Sequence, residues 1–174
     1  MEIERKYRIA ALPEHYRSYP VRAIEQAYLC TDPVVRVRRD GDEYYLTYKG
    51  RGLLAREEYN LPLNEQAYRH LLEKADGIVL TKDRYRIPMT GTYAHLTIEL
   101  DVFSGVYDGL ILAEVEFPTV EEAEAFVPPE WFTEDATMSG EYQNSRLSSG
   151  KVNFCGFRSG AFPLGAAAAR TPVI

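Results

Sequence analysis

The chain has 174 residues, with 20 Lys and Arg against 26 Asp and Glu and a formal net charge of −6, the length of one domain with a sizeable core. The acidic balance argues against a general binder of nucleic-acid polymers, whose affinity rests on a surplus of surface cations. Cys30 and Cys155 stand far apart without metal-ligand spacing, which fits a reducing compartment better than a disulfide framework, and no apolar run approaches the ~20 residues of a membrane span.

The chain opens on Met1-Glu2-Ile3-Glu4-Arg5-Lys6, which reads as a charged β-strand and not as a signal peptide, so the cytoplasm is the default location. Side chains at i, i+2 and i+4 of a strand share one face. Glu2, Glu4 and Lys6 therefore point the same way, and Arg8 extends the row. Oxygen ligands beside positive groups suit a divalent cation together with an anion, as in a metal-bound phosphate chain.

The same alternation recurs along the chain. Residues 23–29 put Gln26 and Tyr28 on one face, and residues 34–38 do the same for Arg36 and Arg38. Asp40-Gly41-Asp42 turns the chain into 43–49, where Tyr45, Thr47 and Lys49 oppose Tyr44, Leu46 and Tyr48. In 55–61, Arg56 and Glu58 oppose Glu57, Tyr59 and Leu61. Residues 64–75 read as a helix with Asn64 as N-cap, a stripe of Ala67, Leu71 and Ala75, and Gly77 as its stop. Residues 81–87 gather Lys82, Arg84 and Arg86, 95–103 gather Thr97, Glu99 and Asp101, and 110–117 gather Glu114 and Glu116. A second helix over 119–126 has Thr119 and Glu122 at capping-box spacing and ends before Pro128-Pro129. After about Leu147 the alternation gives way to Gly, Ser and Ala, so the sequence divides into a domain at 1–147 and an irregular tail at 148–174, either flexible or plugging one barrel mouth.

These strands, about eight in number, carry both signs of charge on one face and apolar residues on the other. The expected fold is α+β, an eight-stranded antiparallel β-barrel forming a tunnel with a polar charged lumen and helices packed outside. A sandwich whose charged faces look to solvent is the alternative, each surface ion pair then contributing roughly 0–1 kcal/mol. An outer-membrane barrel would need longer, evenly spaced strands and aromatic girdles, which are not visible. His15, His70 and His95 read as structural.

Glu2-x-Glu4-x-Lys6, followed in order by Arg36-x-Arg38, Lys49, Arg56-x-Glu58, Lys82-x-Arg84, Glu99-x-Asp101 and Glu114-x-Glu116, resembles the CYTH superfamily, or triphosphate tunnel metalloenzymes, over residues 1–147. The resemblance implies an eight-stranded tunnel that acts on triphosphate groups with Mg²⁺ or Mn²⁺. By this resemblance Lys6, Arg36, Arg38, Lys49, Arg56, Lys82 and Arg84 are triphosphate ligands. Glu2, Glu4, Glu114 and Glu116 are metal carboxylates, with Glu58, Glu99 and Asp101 as further candidates. Lys82 is a candidate proton donor to the leaving group and Tyr28 a candidate for orienting water, a packing role for Tyr28 being at least as well supported. One departure is Glu141 in Ser139-Gly140-Glu141-Tyr142-Gln143-Asn144, where many family members carry a Lys.

The leading functional expectation is divalent-metal-dependent hydrolysis of a short triphosphate, tripolyphosphate first. A class IV adenylyl cyclase and a non-catalytic polyphosphate- or nucleotide-binding module are the alternatives. The expected partner is a small-molecule triphosphate, without a nucleic-acid polymer or a membrane, and a homodimer through the apolar outer strands stays open.

Overall fold

The computed structural model describes residues 1–152. Its strands are β1 (Glu2–Arg8), β2 (Val21–Thr31), β3 (Val34–Asp40), β4 (Glu43–Lys49), β5 (Ala55–Arg56), β6 (Glu58–Leu63), β7 (Asp76–Pro88), β8 (Thr97–Phe103), β9 (Ile111–Glu116) and β10 (Glu134–Asp135). Its α-helices are α1 (Glu65–Leu72), α2 (Val120–Ala125) and α3 (Asn144–Ser148).

All strand pairings are antiparallel, in the order β10-β1-β9-β8-β7-β2-β3-β4-β6, with β5 on β1. The chain leaves register at Glu57, so one interrupted strand pairs with β4 through β6 and with β1 through β5, where Glu2 stands opposite Arg56 and Ile3 opposite Ala55. That segment brings the two ends of the sheet together in a nearly closed barrel. With β5 and β6 taken as one interrupted strand there are nine strands, not the expected eight; the ninth is β10, a two-residue strand on β1.

Period-two patterning decides which face turns inward. Ile3, Ile98, Leu100, Ala113, Val115 and Ile87 are buried outside the barrel with Phe117, Ala123 and Phe126, where α2 covers β1. Ala27 and Val37 form a second outer cluster with Tyr68 of α1. Both helices carry the expected caps: the Asn64 side chain accepts from the Ala67 N–H at 2.8 Å, and Thr119 Oγ1 from the Glu122 N–H at 3.1 Å. The Glu122 carboxylate meets His95 Nε2 at 2.5 Å on the surface, so the reciprocal half of a capping box is absent. Arg5 ties α2 down by donating to the Ala123 and Phe126 carbonyls at 2.9 and 3.2 Å and by pairing with Asp135 of β10.

Gly77 is not the helix stop. The α1 backbone turns through Glu73, whose N–H bonds back to Arg69 and Leu71, and Gly77 lies within β7. Its φ of +75° and the 2.4 Å that would separate an added Cβ from the Ser148 carbonyl oxygen explain a glycine there. The close approach seats α3 on β7.

The inward face is not polar throughout. Beyond the charges, Leu80, Phe103 and Leu112 continue the inward rows of β7, β8 and β9 and pack with Tyr28, Tyr107, Leu110 and Leu147. The charged lumen therefore fills part of the barrel's length and an apolar plug fills another. The expected tail spans 148–174; Ser148 ends α3, and residues 153–174, Cys155 among them, lie outside the described residues. Among the described residues no helix is long and apolar enough to cross a membrane.

Candidate active site in the barrel lumen

A cavity of about 200 Å³ occupies the lumen. Its walls carry Glu2, Glu4 and Lys6 of β1, Arg36 and Arg38 of β3, Lys49 of β4, Arg56 and Glu58 of the interrupted strand, Arg84 of β7, Glu99 of β8 and Glu114 and Glu116 of β9, with Tyr28 of β2 beside them. Most of the side chains singled out from sequence thus converge on one space. Arg8 and Arg86, which share the same strand faces, are exposed and do not line it. Lys82 and Asp101 do not line it either: both side chains are 0% exposed, paired with each other behind Arg84.

The walls also include residues with no assigned role in the sequence reading. Asp40 and Tyr45 extend the inward rows of β3 and β4, a period-two signal that was present in the sequence. Gln143, Asn144 and Ser145 come from the start of α3, a five-residue helix too short to leave a periodic signature. Glu141, the departure from the family pattern, is exposed and is not among the cavity-lining residues.

Charge is distributed unevenly around this space. On β3, Arg36 and Arg38 are buried and have no carboxylate partner among the described residues; Arg36 donates to Thr47 Oγ1 at 3.1 Å, and Arg38 donates to Gln26 Oε1 at 2.9 Å. Arg36 Nε is buried without any hydrogen-bond partner among the described residues. Burial, and then the neighbouring Arg38, push the Arg36 pKa down, the mark of positive charge awaiting a counter-ion. Lys49 is likewise lowered by burial and by Arg36, although it reaches Glu2 at 2.7 Å and Glu58 at 2.6 Å.

On the opposite wall carboxylates accumulate. Glu4 stands directly across from Glu116, and Glu99 across from Glu114, in the antiparallel register. Burial, with Glu114 adding to it, pushes the Glu4 carboxyl up to about 7, although Lys6 stands 3.6 Å away. Glu116 is raised by burial and by Glu2, Glu99 and Glu58. Glu114 is the exception: burial opposes its charge, but Lys6 at 2.8 Å and the Arg84 guanidinium hold it well below the usual carboxylate range. Glu58 is similarly held down to about 2: burial opposes its charge, but the Lys49 ammonium together with hydrogen bonds to Glu2, Lys49 and Asn60 outweighs it.

Facing like charges are destabilising unless a cation stands between them. An all-oxygen donor set of this kind suits a hard divalent cation such as Mg²⁺ or Mn²⁺. Among the described residues no three acidic, His or Cys side chains converge as a preformed metal cluster; the residues fit a cation through uncompensated carboxylates that it would neutralise. Among the described residues the site thus holds two guanidiniums without carboxylate partners on one wall and crowded carboxylates on the other.

Comparison with known proteins agrees with this geometry. The CYTH domain model matches residues 1–148. The inorganic triphosphatase of Nitrosomonas europaea is 37% identical over 153 residues, covering 84% of this chain and 96% of that protein. The inorganic triphosphatase of Acetivibrio thermocellus is 34% identical over 154 residues, covering 84% and 92%. A crystal structure of an inorganic triphosphatase superimposes with a TM-score of 0.64 at 33% identity, covering 86% of this chain and 95% of that one. At 14% identity and a TM-score of 0.51, a Hippeastrum protein described as a putative adenylyl cyclase with dominant triphosphatase activity shares the fold, with 72% of this chain and 83% of that one covered. With a charged lumen built by the ordered residue pairs of its strands and a family match over most of its length, this chain belongs to the CYTH domain family.

Proposed function

We propose that the protein is a metal-dependent triphosphatase that hydrolyses inorganic tripolyphosphate to pyrophosphate and orthophosphate inside the barrel. The observation that carries this reading is the pair of buried, carboxylate-free guanidiniums of Arg36 and Arg38 facing a wall of crowded carboxylates. A phosphate chain accompanied by a divalent cation is complementary to both walls at once. The names of the relatives in Nitrosomonas europaea and Acetivibrio thermocellus support the same substrate.

In this reading Arg36, Arg38, Lys49, Lys6, Arg56 and Arg84 grip phosphate oxygens. Glu4, Glu114 and Glu116 would hold the metal, with Glu2, Glu58 and Glu99 beside them on the cavity wall. The metal supplies Lewis-acid neutralisation of phosphate charge and acidification of water. The chain's own residues do the rest. Guanidiniums fixed by the barrel meet charge as it develops on the phosphoryl oxygens, and because they are already in place little reorganisation is needed during the reaction. Lys49 is paired with Glu58 and Lys6 with Glu114; a bound phosphate chain would compete for those two ammonium groups, and a divalent cation would compensate the carboxylates they leave. Tyr28, whose hydroxyl accepts from Gln26 Nε2 at 3.2 Å, sits between the cavity and the apolar plug, where it orients water at the inner end.

The test is purified protein with Mg²⁺ or Mn²⁺ against tripolyphosphate, ATP and thiamine triphosphate, following orthophosphate, pyrophosphate and cyclic AMP with an EDTA control. Orthophosphate release that is fastest on tripolyphosphate and abolished by EDTA is expected. Cyclic AMP from ATP would move the assignment to a cyclase, and binding without product to a carrier of triphosphates.

A further inference from the structure

Within the triphosphatase reading, on which this inference rests, we infer that Asp101 is a positioning residue for the substrate-binding cations and not a metal ligand. It follows from where the carboxylate stands and how its oxygens are used. Asp101 on β8 lies directly opposite Arg84 on β7 and opposite Leu112 on β9. Its side chain is 0% exposed and outside the cavity lining. Oδ1 accepts from Arg84 Nε at 2.6 Å, and Oδ2 accepts from Arg84 Nη2 at 2.7 Å and from Lys82 Nζ.

A carboxylate offers about four lone-pair sites. A two-pronged grip on one guanidinium and a third bond to an ammonium commit both oxygens to cations. On its other flanks are Leu112 and, two residues along the strand, Phe103, over whose ring Lys82 Nζ lies at 5.2 Å. No face is left turned to the lumen. Glu99 and Glu114 differ, since each lines the cavity and gives Arg84 a single contact.

The consequence lies in Arg84. Its Nε and Nη2 edge is clamped from behind by Asp101, which fixes the plane of the guanidinium and turns its other N–H groups toward the cavity-lining carboxylates Glu99 and Glu114. Lys82, whose one ion-pair partner among the described residues is Asp101, adds positive charge beneath that plane without entering the cavity. Asp101 thus makes Arg84 and Lys82 one rigid cationic unit, and its effect on substrate passes through them.

The experiment separates the two roles by measuring tripolyphosphate binding in EDTA by calorimetry, together with turnover as a function of metal and of substrate, for wild type and Asp101→Asn. The variant keeps the shape but turns an N–H toward a cation. A positioning role predicts at least tenfold weaker metal-free binding and a comparable rise in KM, with half-saturating metal within twofold of wild type. Metal-free affinity retained while the metal requirement rises tenfold would make Asp101 a ligand and overturn the inference, as would a variant that matches wild type throughout. If Asp101→Asn does not fold, the carboxylate ¹³C shift of Asp101 in the wild-type protein decides. Titrating Mg²⁺ alone should move Glu4 and Glu116 and leave Asp101 in place; an equal movement of Asp101 refutes the positioning role. Wild type that neither binds nor cleaves tripolyphosphate would refute the triphosphatase reading itself, and this inference with it.

Discussion

Glu4 of β1 and Glu116 of β9 occupy directly opposing positions in the antiparallel register, so that two carboxylates face one another inside a barrel. Among the described residues neither has a cation partner closer than the 3.6 Å between Glu4 and Lys6. The pair is intelligible as half of a site whose other half arrives with the ligand.

The pH dependence follows from that pair. The folded Glu4 carboxyl titrates at about 7 against an ordinary value of 4.5, raised by burial and by Glu114. Its contribution to stability is present below the ordinary value and is lost as pH rises through about 7. Thermal melts of the metal-free protein should therefore lose stability between pH 5 and 8, and Glu4→Gln should flatten that loss. Metal binding to the ionised form releases a proton, so apparent Mg²⁺ affinity should rise between pH 6 and 7 by up to about tenfold. A calorimetric series in buffers of different ionisation enthalpy would measure the proton, and an absence of proton release at pH 6 would refute the assignment.

In the proposed reading Arg36 serves phosphate binding at a cost in stability. Replacing it with Met removes a buried charge that Arg38 repels and that has no carboxylate partner among the described residues. Arg36→Met should leave the melting temperature unchanged or raise it, while weakening tripolyphosphate binding by about 1.5–3 kcal/mol, the range for hydrogen bonds to charged groups. A fall in melting temperature with unchanged affinity would mark the arginine as structural.

Glu2 of β1 reaches two strands through its side chain, β4 at Lys49 and β5 at Arg56, and pairs with β5 through its backbone as well. Its carboxylate accepts from Lys49 at 2.7 and 2.8 Å and from Arg56 at 2.9 Å. Glu2→Gln leaves both cations without that charge beside Arg36. A loss of up to about 3 kcal/mol is expected in denaturant titration, the low end for a broken buried pair because the site is partly open to water. The loss should shrink when tripolyphosphate is added.

Gly77→Ala tests the seating of α3. The substitution places a methyl group 2.4 Å from the Ser148 carbonyl oxygen at a φ of +75°, and the strain of a non-glycine residue there costs of order 1–3 kcal/mol. Because α3 brings Gln143, Asn144 and Ser145 to the cavity wall, KM should rise with little change in metal requirement. Hydrogen exchange should quicken over 143–150 ahead of the rest of the barrel.

The barrel was legible in the sequence because a lumen that alternates with an outer core leaves a period-two record, and β4 coincides with the expected 43–49. What the record lacks is pairing. Nothing in Glu99-x-Asp101 separates the two acids, yet register puts Glu99 on the cavity and Asp101 behind Arg84. The break at Glu57 was hidden because Arg56 and Glu58 keep the same inward parity on either side of it. The first part of β7 was missed because Gly77, required by the approach of α3, looked like a helix stop. The apolar plug escaped because Leu80, Phe103 and Leu112 lie just past the charged positions of strands whose inner faces had already been read as polar.

The interruption at Glu57 leaves the barrel closed along a short seam. Along β5 the backbone register is confined to Glu2 with Arg56 and Ile3 with Ala55, and the Glu2 carboxylate grips Lys49 and Arg56 beside it. A polyanion bound in the lumen would compete with the Glu2 carboxylate for those two cations. The short backbone seam is thus reinforced by the same cations that are proposed to grip the substrate.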